Sequence, residues 1–336
     1  MTAHALSITN LHKRFAESSV LSGLNMQVPA GQLVSLLGSS GAGKSTLLRI
    51  IAGLEKADEG QVTYTGRPLT PGQVGFVFQQ PVLYPHLTVE QNILFASRLK
   101  KAAPIDKEHF TSLVDSLGLG QHLTKKPAQL SGGQAQRAGI ARALVRKAPV
   151  VLFDEPLSSV DEATSASIRA DLQTLHRQLG FTGIYVTHHQ NEALQMGQQV
   201  GVLLAGRLAQ LTSPAQLLAA PASLEVARLV FPLYNELEGE LAGRRVTAGI
   251  SAFGFTAANK EQIGALPVLA QSCEAHTAGW KVEGELTASA TVASSHGSLT
   301  LPARTPLTAV LSVSATVDVG QAIYLNADPA ALHTFP

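Results

Sequence analysis

The sequence predicts an α/β domain built on a mostly parallel sheet, followed by a small all-β domain. Its length of 336 residues is comfortable for two domains. Up to about residue 210, short apolar strand patterns alternate with helical patterns, which favours a parallel and mostly buried sheet. From residue 233 the chain is rich in Ala, Ser, Thr, Val and Gly with period-2 alternation, which indicates a separate β domain. We expect the junction within residues 221–235.

The elements of the first domain follow one another in a regular order. Strand patterns occur in LSITNLHKRF, VLSGLNMQV, QLVSLLG, GQVTYTG, QVGFVF, PVVLFDE and TGIYVTHH. A helix is predicted over KSTLLRIIAGL, because apolar residues recur at helical spacing and Gly53 provides a stop. From Thr88 to Lys147 the periodicity is mainly helical, with TVEQNILFASRLKK and KEHFTSLVDSLGL as amphipathic candidates.

The second domain is predicted from segments in which apolar and polar residues alternate between frequent turn residues. These segments are LEGELAGRRVTAGISAFGF, SATVASSHGSLTLP and TAVLSVSATVDVGQAIYLNAD. Alternation of this kind indicates short strands with one buried face, so we expect a small β domain over residues 233–336.

Composition restricts the partners of the chain. The 25 Lys and Arg residues are balanced by 24 Asp and Glu residues, so nucleic acid is not expected as a partner. The single cysteine, Cys273, excludes an internal disulfide, suits a reducing cytosol and is expected to be a small buried apolar residue. No signal-peptide pattern and no run of about eighteen apolar residues occurs, so we expect a soluble chain that reaches a membrane only through another protein or a surface.

The stretch GSSGAGKST, called here the phosphate loop, follows a predicted strand and opens a predicted helix. It consists of Gly38, Ser39, Ser40, Gly41, Ala42, Gly43, Lys44, Ser45 and Thr46. Glycines let the backbone curl so that its N–H groups face phosphate oxygens, and the helix N-terminus adds positive potential. Lys44 is expected to bridge the terminal phosphates and Ser45 to ligate Mg²⁺. The alternative, a plain tight turn, is disfavoured by this strand-loop-helix context.

Two carboxylates stand at the end of a later apolar strand, VVLFDEP. Asp154 is expected to hold the magnesium ion through its water shell, and Glu155 to polarise the attacking water. By itself, Asp-Glu after an apolar strand is common and indicates a solvated strand end. The phosphate loop in the same chain is what favours the catalytic interpretation.

A Ser-Gly-Gly turn leads into a further helix at LSGGQAQR. Ser131 either caps this helix or bonds an oxygen of a ligand, and Gly132 and Gly133 allow a ligand to approach the backbone closely. Local sequence leaves both interpretations open. The two preceding motifs favour the ligand-binding one.

In this order, GSSGAGKST, VGFVFQQP, LSGGQ, VVLFDEP, LSSVD and YVTHH resemble the ATP-binding cassette of ABC transporters. The resemblance covers residues 1 to about 230 and implies a P-loop NTPase fold with a mostly parallel core sheet, an antiparallel β subdomain and a helical subdomain at about 88–147. The tail, residues 233–336, resembles the small OB-like (TOBE) regulatory domain of importer ATPases, although TAGISAFGF lacks the Arg-Pro-Glu run common in such tails.

The resemblance implies a role for several further residues. Phe15 corresponds to the aromatic residue that stacks on adenine, with a core aromatic of the first strand as the alternative. Gln79 corresponds to the glutamine that senses the metal and the γ-phosphate, so the implied metal set is Ser45, Gln79 and Asp154. His188 corresponds to the histidine that contacts the γ-phosphate.

The resemblance assigns other positions to contacts between subunits, and one position, His189, to no contact. Residues 130–134, LSGGQ, correspond to the family's signature segment, in which Ser131, Gly132, Gly133 and Gln134 act on the nucleotide of the partner chain. Asp161 corresponds to the loop that communicates across the subunit interface, although SSVD departs from the commoner middle residues. His189 stands where relatives usually carry an acidic residue, and we expect it on a solvated surface.

The implied activity is ATP hydrolysis with Mg²⁺ by a homodimer or paired cassette at the cytoplasmic face of the inner membrane. Transmembrane permease subunits are the implied direct partners, with PVLYPHLTVEQNILF at 81–95 as the docking surface, and an extracytoplasmic solute-binding protein is an indirect one. A soluble ABC ATPase outside transport remains the alternative. A metabolic P-loop kinase has no use for LSGGQ, and a non-catalytic cassette is disfavoured because Glu155 and His188 are present.

Overall fold

The structure, a computed structural model, describes residues 4–95, 105–258, 262, 264–294, 297–312, 315 and 317–335. Contacts within the chain divide it into two units, Met1–Pro214 and Ala215–Pro336. This division falls before the junction expected within residues 221–235. The intervening segment is helical and amphipathic, and its pattern alone does not reveal which unit it packs on.

Every strand predicted for the first domain is present. The strands of the first unit are β1 His4–Phe15, β2 Ser18–Pro29, β3 Leu33–Leu37, β4 Glu59–Tyr64, β5 Arg67–Pro68, β6 Val74–Val77, β7 Val150–Asp154, β8 Thr182–Thr187, β9 Gln199–Leu204 and β10 Arg207–Thr212. Its helices are α1 Lys44–Ile51, α2 Val89–Ile93, α3 Lys107–Ser116, α4 Gly132–Leu144, α5 Glu162–Leu179 and α6 Gln190–Met196. Helix α7 Pro214–Ala219 crosses the division, and α8 Leu224–Val230 belongs to the second unit.

The central sheet of the first unit has six strands in the order β10-β9-β3-β8-β7-β6. Strands β9, β3, β8, β7 and β6 are parallel, and β10 pairs antiparallel with β9. Every residue of β3, β7 and β8 is buried, as their continuous apolar patterns indicate. The carboxyl ends of the parallel strands meet at one edge, where α/β proteins bind their ligands. The predicted mostly parallel sheet is confirmed.

An antiparallel sheet of four strands, in the order β2-β1-β4-β5, forms a second layer. Leu47 and Leu48 of α1 lie in one buried cluster with residues of both sheets, including Leu6 and Leu152. Burying one such side chain contributes about 1.5–3 kcal/mol. The helix that follows the phosphate loop is therefore held between two sheets, and its first turn is fixed with them.

The helices α2, α3 and α4 lie within the segment predicted as a helical subdomain, residues 88–147. Leu113, Val114 and Ile140 belong to one buried cluster that also contains Phe153 of β7. The helix predicted over residues 88–101 is observed as α2, Val89–Ile93, and residues 96–101 lie outside the described residues.

The described residues of the second unit form an all-β region after α8, as predicted. Its strands are β11 Tyr234–Leu241, β12 Arg244–Ser251, β13 Phe255–Ala258, β14 Leu266–His276, β15 Gly279–Leu286, β16 Ala290–Ser294, β17 Gly297–Leu301, β18 Pro306–Leu311, β19 Ala322–Ala327 and β20 Leu332–Phe335. They form two antiparallel sheets of five strands, β16-β17-β11-β12-β20 and β13-β19-β14-β15-β18, around one buried cluster. Residues 295, 296, 313, 314 and 316 of the predicted strands lie outside the described residues.

Cys273 is less buried than expected from the sequence. Its side chain is only partly buried, although it packs against the core of the second unit. A register shift between Ala270 and Ser272 changes which residues of β14 face inward. Cys273 therefore faces the core cluster but stays partly exposed.

Among the described residues, no helix is both long enough and apolar enough to cross a membrane. The longest, α5, has 18 residues and ends at a left-handed glycine, Gly180. One face of α5 is exposed, for example at Glu162 and Arg177, and the other is buried, for example at Ile168 and Leu172, so it is a surface helix of the first unit.

Candidate functional site

A cleft of about 430 Å³ opens at the carboxyl edge of the central sheet. It is lined by Phe15, Val20, Ser40, Gly41, Gly43, Lys44, Ser45, Thr46, Gln79 and Glu155. Strand β3 delivers the phosphate loop to this edge, β7 delivers Glu155, and Gln79 follows β6. Because these strands are parallel near neighbours in the sheet, motifs that lie far apart in sequence meet in one place.

The phosphate loop has the backbone shape that its glycines predict. Gly43, at the N-cap of α1, has φ 99°, and a Cβ there would lie 2.8 Å from the Val20 carbonyl oxygen. Gly41 has φ 81°. These left-handed conformations favour glycine, and they leave the first N–H groups of α1 facing the cleft. A helix N-terminus with free N–H groups is a site for anions such as phosphate.

Lys44 is folded back onto its own loop and is only 5 % exposed. Its ammonium donates to the carbonyl oxygens of Gly38 and Ser39, at 2.8 and 2.9 Å. It also lies 3.5 Å from a carboxylate oxygen of Glu155. The cation is thus held at the cleft by two neutral acceptors and one anion, and a phosphate that enters the cleft competes with Glu155 for it.

The Glu155 carboxylate joins Lys44 to a histidine. Its Oε2 accepts a hydrogen bond from Nδ1 of His188 at 2.9 Å, which fixes the ring with its proton on Nδ1. The backbone of Glu155 has φ 44°, an uncommon conformation for a residue with a side chain. Strain of this kind persists only where the surrounding structure imposes it, here where the Glu155 N–H donates to the Val186 carbonyl at 3.0 Å.

The donor set predicted for magnesium is assembled beside Lys44. The Ser45 hydroxyl donates to Oδ1 of Asp154 at 2.8 Å, although the two residues are 109 apart in sequence. Asp154 is 7 % exposed, and burial raises the pKa of its carboxyl. The Ser45 hydroxyl and the Gln79 amide line the cleft, and the Asp154 carboxylate lies directly behind the lining, bonded to Ser45. Hydroxyl, amide and carboxylate oxygens are the hard ligands that Mg²⁺ prefers. The residues present therefore fit a magnesium ion with a bound phosphate.

Gln79 is connected to the residue that follows β7 through Ser158, a serine for which the sequence predicts no role. Its amide nitrogen donates to the Ser158 hydroxyl at 3.2 Å, and that hydroxyl donates to the Glu155 carbonyl at 3.1 Å. Ser158 lies in LSSVD, a stretch in which the sequence predicts a role for Asp161 only. A serine in a short loop is an ordinary residue, so the sequence gives no signal for the hydrogen bonds that Ser158 makes.

Phe15 stands at the rim of the cleft, at the end of β1. Its side chain is 47 % exposed, which excludes the alternative of a core aromatic. A large apolar side chain left open beside a phosphate loop offers a flat surface on which a base can stack.

The signature segment does not line this cleft. Ser131 is the N-cap of α4, where its hydroxyl accepts a hydrogen bond from the Gln134 N–H at 3.3 Å. In turn, the Gln134 side-chain oxygen accepts from the Ser131 N–H at 3.0 Å. This capping box agrees with the local interpretation of the serine. Gly132 has open space where a Cβ would stand, whereas at Gly133 a Cβ would meet Thr164 at 2.6 Å. The exposed Ser131 and Gly132 therefore present a helix N-terminus to the surface.

Two further predicted positions also lie outside the cleft lining. Asp161 caps α5 by accepting from the Thr164 N–H at 3.0 Å, and that bond lowers the pKa of its carboxyl. His189 is exposed, as expected, and its ring centroid lies 4.1 Å from that of His188. Both residues lie at the start of a helix, α5 and α6 respectively.

Helix α4 holds the segment that contains Gln79. The Gln136 side chain donates to the Phe78 carbonyl at 3.4 Å, and Arg142 donates to the Val82 carbonyl. Between them, Gly139 approaches Pro81, where a Cβ would lie 3.8 Å away. The helix that begins at the signature segment thus fixes both ends of residues 78–82.

Comparison with known proteins agrees with this geometry. The model of the ABC transporter family matches residues 21–158. The sulfate/thiosulfate import ATP-binding protein of Caulobacter vibrioides is 39 % identical over 257 residues, which cover 73 % of this chain and 75 % of the relative. The sn-glycerol-3-phosphate import ATP-binding protein of Rhizobium johnstonii is 38 % identical over 243 residues, covering 70 % and 66 %. The matches span 65 % and 63 % of two further sulfate/thiosulfate relatives, from Vibrio cholerae and Synechocystis, slightly under two thirds of their length.

Solved structures give the same result for the fold. An ATP-binding cassette in a dimeric post-hydrolysis state, bound to ADP and Pi, superposes with a TM-score of 0.56 at 31 % identity over 62 % of this chain and 98 % of that one. The cbiO1 protein of Clostridium perfringens, part of the ABC transporter complex cbiONQ, gives 0.59 at 26 % identity, over 68 % and 96 %. With 39 % identity across 73 % of its length and the motifs gathered at one sheet edge, the chain belongs to the ABC transporter family.

Proposed function

We propose that the chain is the ATP-hydrolysing subunit of an ABC importer and works as a head-to-tail dimer beneath separate membrane subunits. The observation that carries the proposal is the cleft in which Lys44, Ser45, Gln79 and Glu155 converge. The names of the relatives, all import ATP-binding proteins, support import as the direction of transport. A homologous cassette in a post-hydrolysis state, bound to ADP and Pi, supports hydrolysis as the reaction.

In this proposal the phosphate loop and Lys44 hold the β- and γ-phosphates of ATP, and Phe15 stacks on the adenine. Ser45, Asp154 and Gln79 hold Mg²⁺, which neutralises charge on the transferring phosphoryl group when it is bound. The Ser45–Asp154 hydrogen bond supports this assignment because it keeps a hydroxyl and a carboxylate side by side.

Glu155 is assigned the role of polarising the attacking water. Its carboxylate is engaged by Lys44 and His188, so it must exchange Lys44 for water before it acts as a base. Entry of the nucleotide phosphates supplies that exchange, because they attract the same ammonium. His188 keeps Glu155 oriented through Nδ1 and is assigned the contact to the γ-phosphate.

Replacing Asp154 with asparagine is expected to remove the magnesium-dependent part of ATP binding without destabilising the free protein. The amide oxygen still accepts from Ser45, and a buried carboxylate is eliminated, so the Tm without nucleotide is expected to stay the same or rise by a few degrees. The measurement is Tm with ATP and Mg²⁺ against ATP and EDTA. Asp115→Asn, at an exposed position of α3, is the matched control. An undiminished Mg²⁺-dependent rise in Tm would refute the assignment of Asp154.

The dimer explains why the chain carries a second glycine-rich segment. None of Ser131, Gly132, Gly133 and Gln134 is among the residues that line the phosphate-loop cleft. The N-terminus of α4 instead faces outward, with room for a ligand at Gly132. We assign this surface to contact with the nucleotide that the partner chain holds. In a head-to-tail dimer with two-fold symmetry, the partner's signature segment would contact the nucleotide of the first chain in the same way.

Linking two copies in tandem tests this assignment. Lys44→Ala and Ser131→Arg are placed either in one copy or in different copies, in a Glu155→Gln background. If the segment acts in trans, both changes in one copy damage both sites, whereas the split arrangement confines the damage to one site. We expect about one occluded nucleotide per linked dimer for the split arrangement and close to none for the combined one.

The readout is occluded nucleotide after gel filtration, because turnover depends on both sites together. The two arrangements contain the same substitutions, so each is the matched control of the other. One occluded nucleotide in the combined arrangement and none in the split one would rule out the head-to-tail dimer and leave the ATPase assignment standing.

The proposed contact with the membrane subunits is the stretch 81–95. Val82 is 58 % exposed and Tyr84 is 39 % exposed. Together with Phe78, Phe95 and Arg142 they border a cleft of about 400 Å³ beside the segment that α4 holds. A membrane-subunit helix seated there would contact residues directly connected to Gln79. This placement supports a peripheral location at the cytoplasmic face of the membrane.

We assign a regulatory role to the all-β unit.

A further inference from the structure

Lys13 is a buried lysine that none of the motifs includes. Its side chain is 9 % exposed, and its ammonium lies 2.8 Å from Glu55 Oε1 and 3.5 Å from Asp58 Oδ1. It also donates to the Lys56 carbonyl at 2.8 Å. The hydrogen bond to Glu55 raises the pKa of Lys13, so the side chain is a cation near neutral pH.

The same ammonium stands over the ring of Phe15, 4.9 Å from the ring centroid. This distance is within the range of a cation–π interaction. Phe15 lines the phosphate-loop cleft and Lys13 does not. One face of the ring is therefore occupied by the cation, while nearly half of the side chain remains open.

The groups that hold Lys13 follow directly on the helix of the phosphate loop. After α1 ends at Ile51, the Leu54 and Glu55 N–H groups donate to the Arg49 carbonyl at 2.8 and 3.2 Å. Asp58, in the same segment, accepts from the Arg14 N–H at 2.6 Å. Lys13 thus connects the segment after α1 to the end of β1.

We propose that Lys13 is a positioning residue that sets the Phe15 ring at a fixed place relative to the phosphate loop, so that the base and the phosphates of one nucleotide are bound together. The inference rests on the proposed function, since it takes Phe15 as the adenine platform. It adds to that function the residue that orients the Phe15 ring. Glu55 and Asp58, which follow α1, hold that residue in place.

A purely structural role of Lys13 has different consequences. The ion pairs with Glu55 and Asp58 stabilise the turn after α1, and their loss would lower Tm and weaken every ligand of the cleft alike. A positioning role acts only on ligands that carry a base. Inorganic tripolyphosphate occupies the phosphate loop without a base, so it separates the two roles.

The experiment measures the affinities of the full chain for the magnesium complexes of adenylyl imidodiphosphate and of tripolyphosphate by calorimetry. Lys13→Met is expected to weaken binding of the nucleotide by about three- to tenfold and to leave tripolyphosphate unchanged. Lys13→Arg keeps the cation and is expected to bind both ligands like the native chain. Lys13→Met combined with Glu55→Gln also removes the carboxylate that lies nearest to Lys13, and it must give the same change in selectivity.

Phe15→Ala completes a double-mutant cycle. If Lys13 acts through the ring, adding Lys13→Met to Phe15→Ala causes no further loss of nucleotide affinity. The inference is overturned if Lys13→Met weakens both ligands equally, or if its effect persists without the ring. If Phe15→Ala itself leaves nucleotide affinity unchanged, the adenine platform is misassigned. If neither ligand binds the native chain, the proposed function fails.

Discussion

Replacing Lys44 with alanine is expected to reduce the affinity for MgATP by at least about 100-fold, because it removes the buried cation that we assign to the terminal phosphates. The ammonium is already positioned by the Gly38 and Ser39 carbonyls, so little ordering accompanies its contact with phosphate. Calorimetry with adenylyl imidodiphosphate measures the loss without interference from turnover.

The control for Lys44→Ala is Lys56→Ala, which removes the same charge from an exposed position after α1. Its affinity is expected to equal that of the native chain. Binding by Lys44→Ala within a few fold of native would place the terminal phosphates elsewhere. Tm without nucleotide shows whether loss of the Lys44–Glu155 contact at 3.5 Å affects folding.

Glu155→Gln is expected to keep nucleotide binding and to lower the rate of hydrolysis by about 10²- to 10⁴-fold, the usual contribution of a general base. The amide has the shape of the carboxylate but cannot take a proton from water. It also no longer attracts Lys44, so the nucleotide phosphates meet less competition and affinity is expected to be equal or higher. Single-turnover hydrolysis and gel filtration with ATP, where the variant should elute as a stable dimer, measure both effects.

Glu240→Gln, on an exposed position of β11, is the matched control and is expected to hydrolyse ATP at the native rate. Native turnover by Glu155→Gln would show that another group activates the water. A dimer that forms equally with ADP and with ATP would show that the γ-phosphate does not close it.

Much of the cassette could be predicted because its motifs are local. The phosphate loop lies between a five-residue apolar strand, β3, and a helix, and both follow from the sequence pattern. The carboxylates Asp154 and Glu155 stand at the end of β7 for the same reason. By contrast, Ser158 and Lys13 were missed, because a serine in a loop and a lysine in an alternating strand are ordinary residues in their local sequence.

The sequence pattern places the junction between the two units within residues 221–235, whereas contacts divide the chain after Pro214. Periodicity describes which face of a helix is apolar but not what covers that face, and the amphipathic segment 221–235 could pack on either unit. Cys273 illustrates the same limit, since a register shift in β14 decides how far it is buried.

The sequence by itself determined the chemistry of the site: a glycine loop with Lys44 and Ser45, two carboxylates after a strand, and a capped helix at Ser131. These motifs depend only on residue types and on neighbours in the sequence, so they can be read from the sequence itself. Only the tertiary structure decided which of them meet. Ser45 reaches Asp154, and Glu155 joins Lys44 to His188, because β3, β8 and β7 are adjacent in the sheet. Strand order is set by packing of the whole core, and no local pattern encodes it.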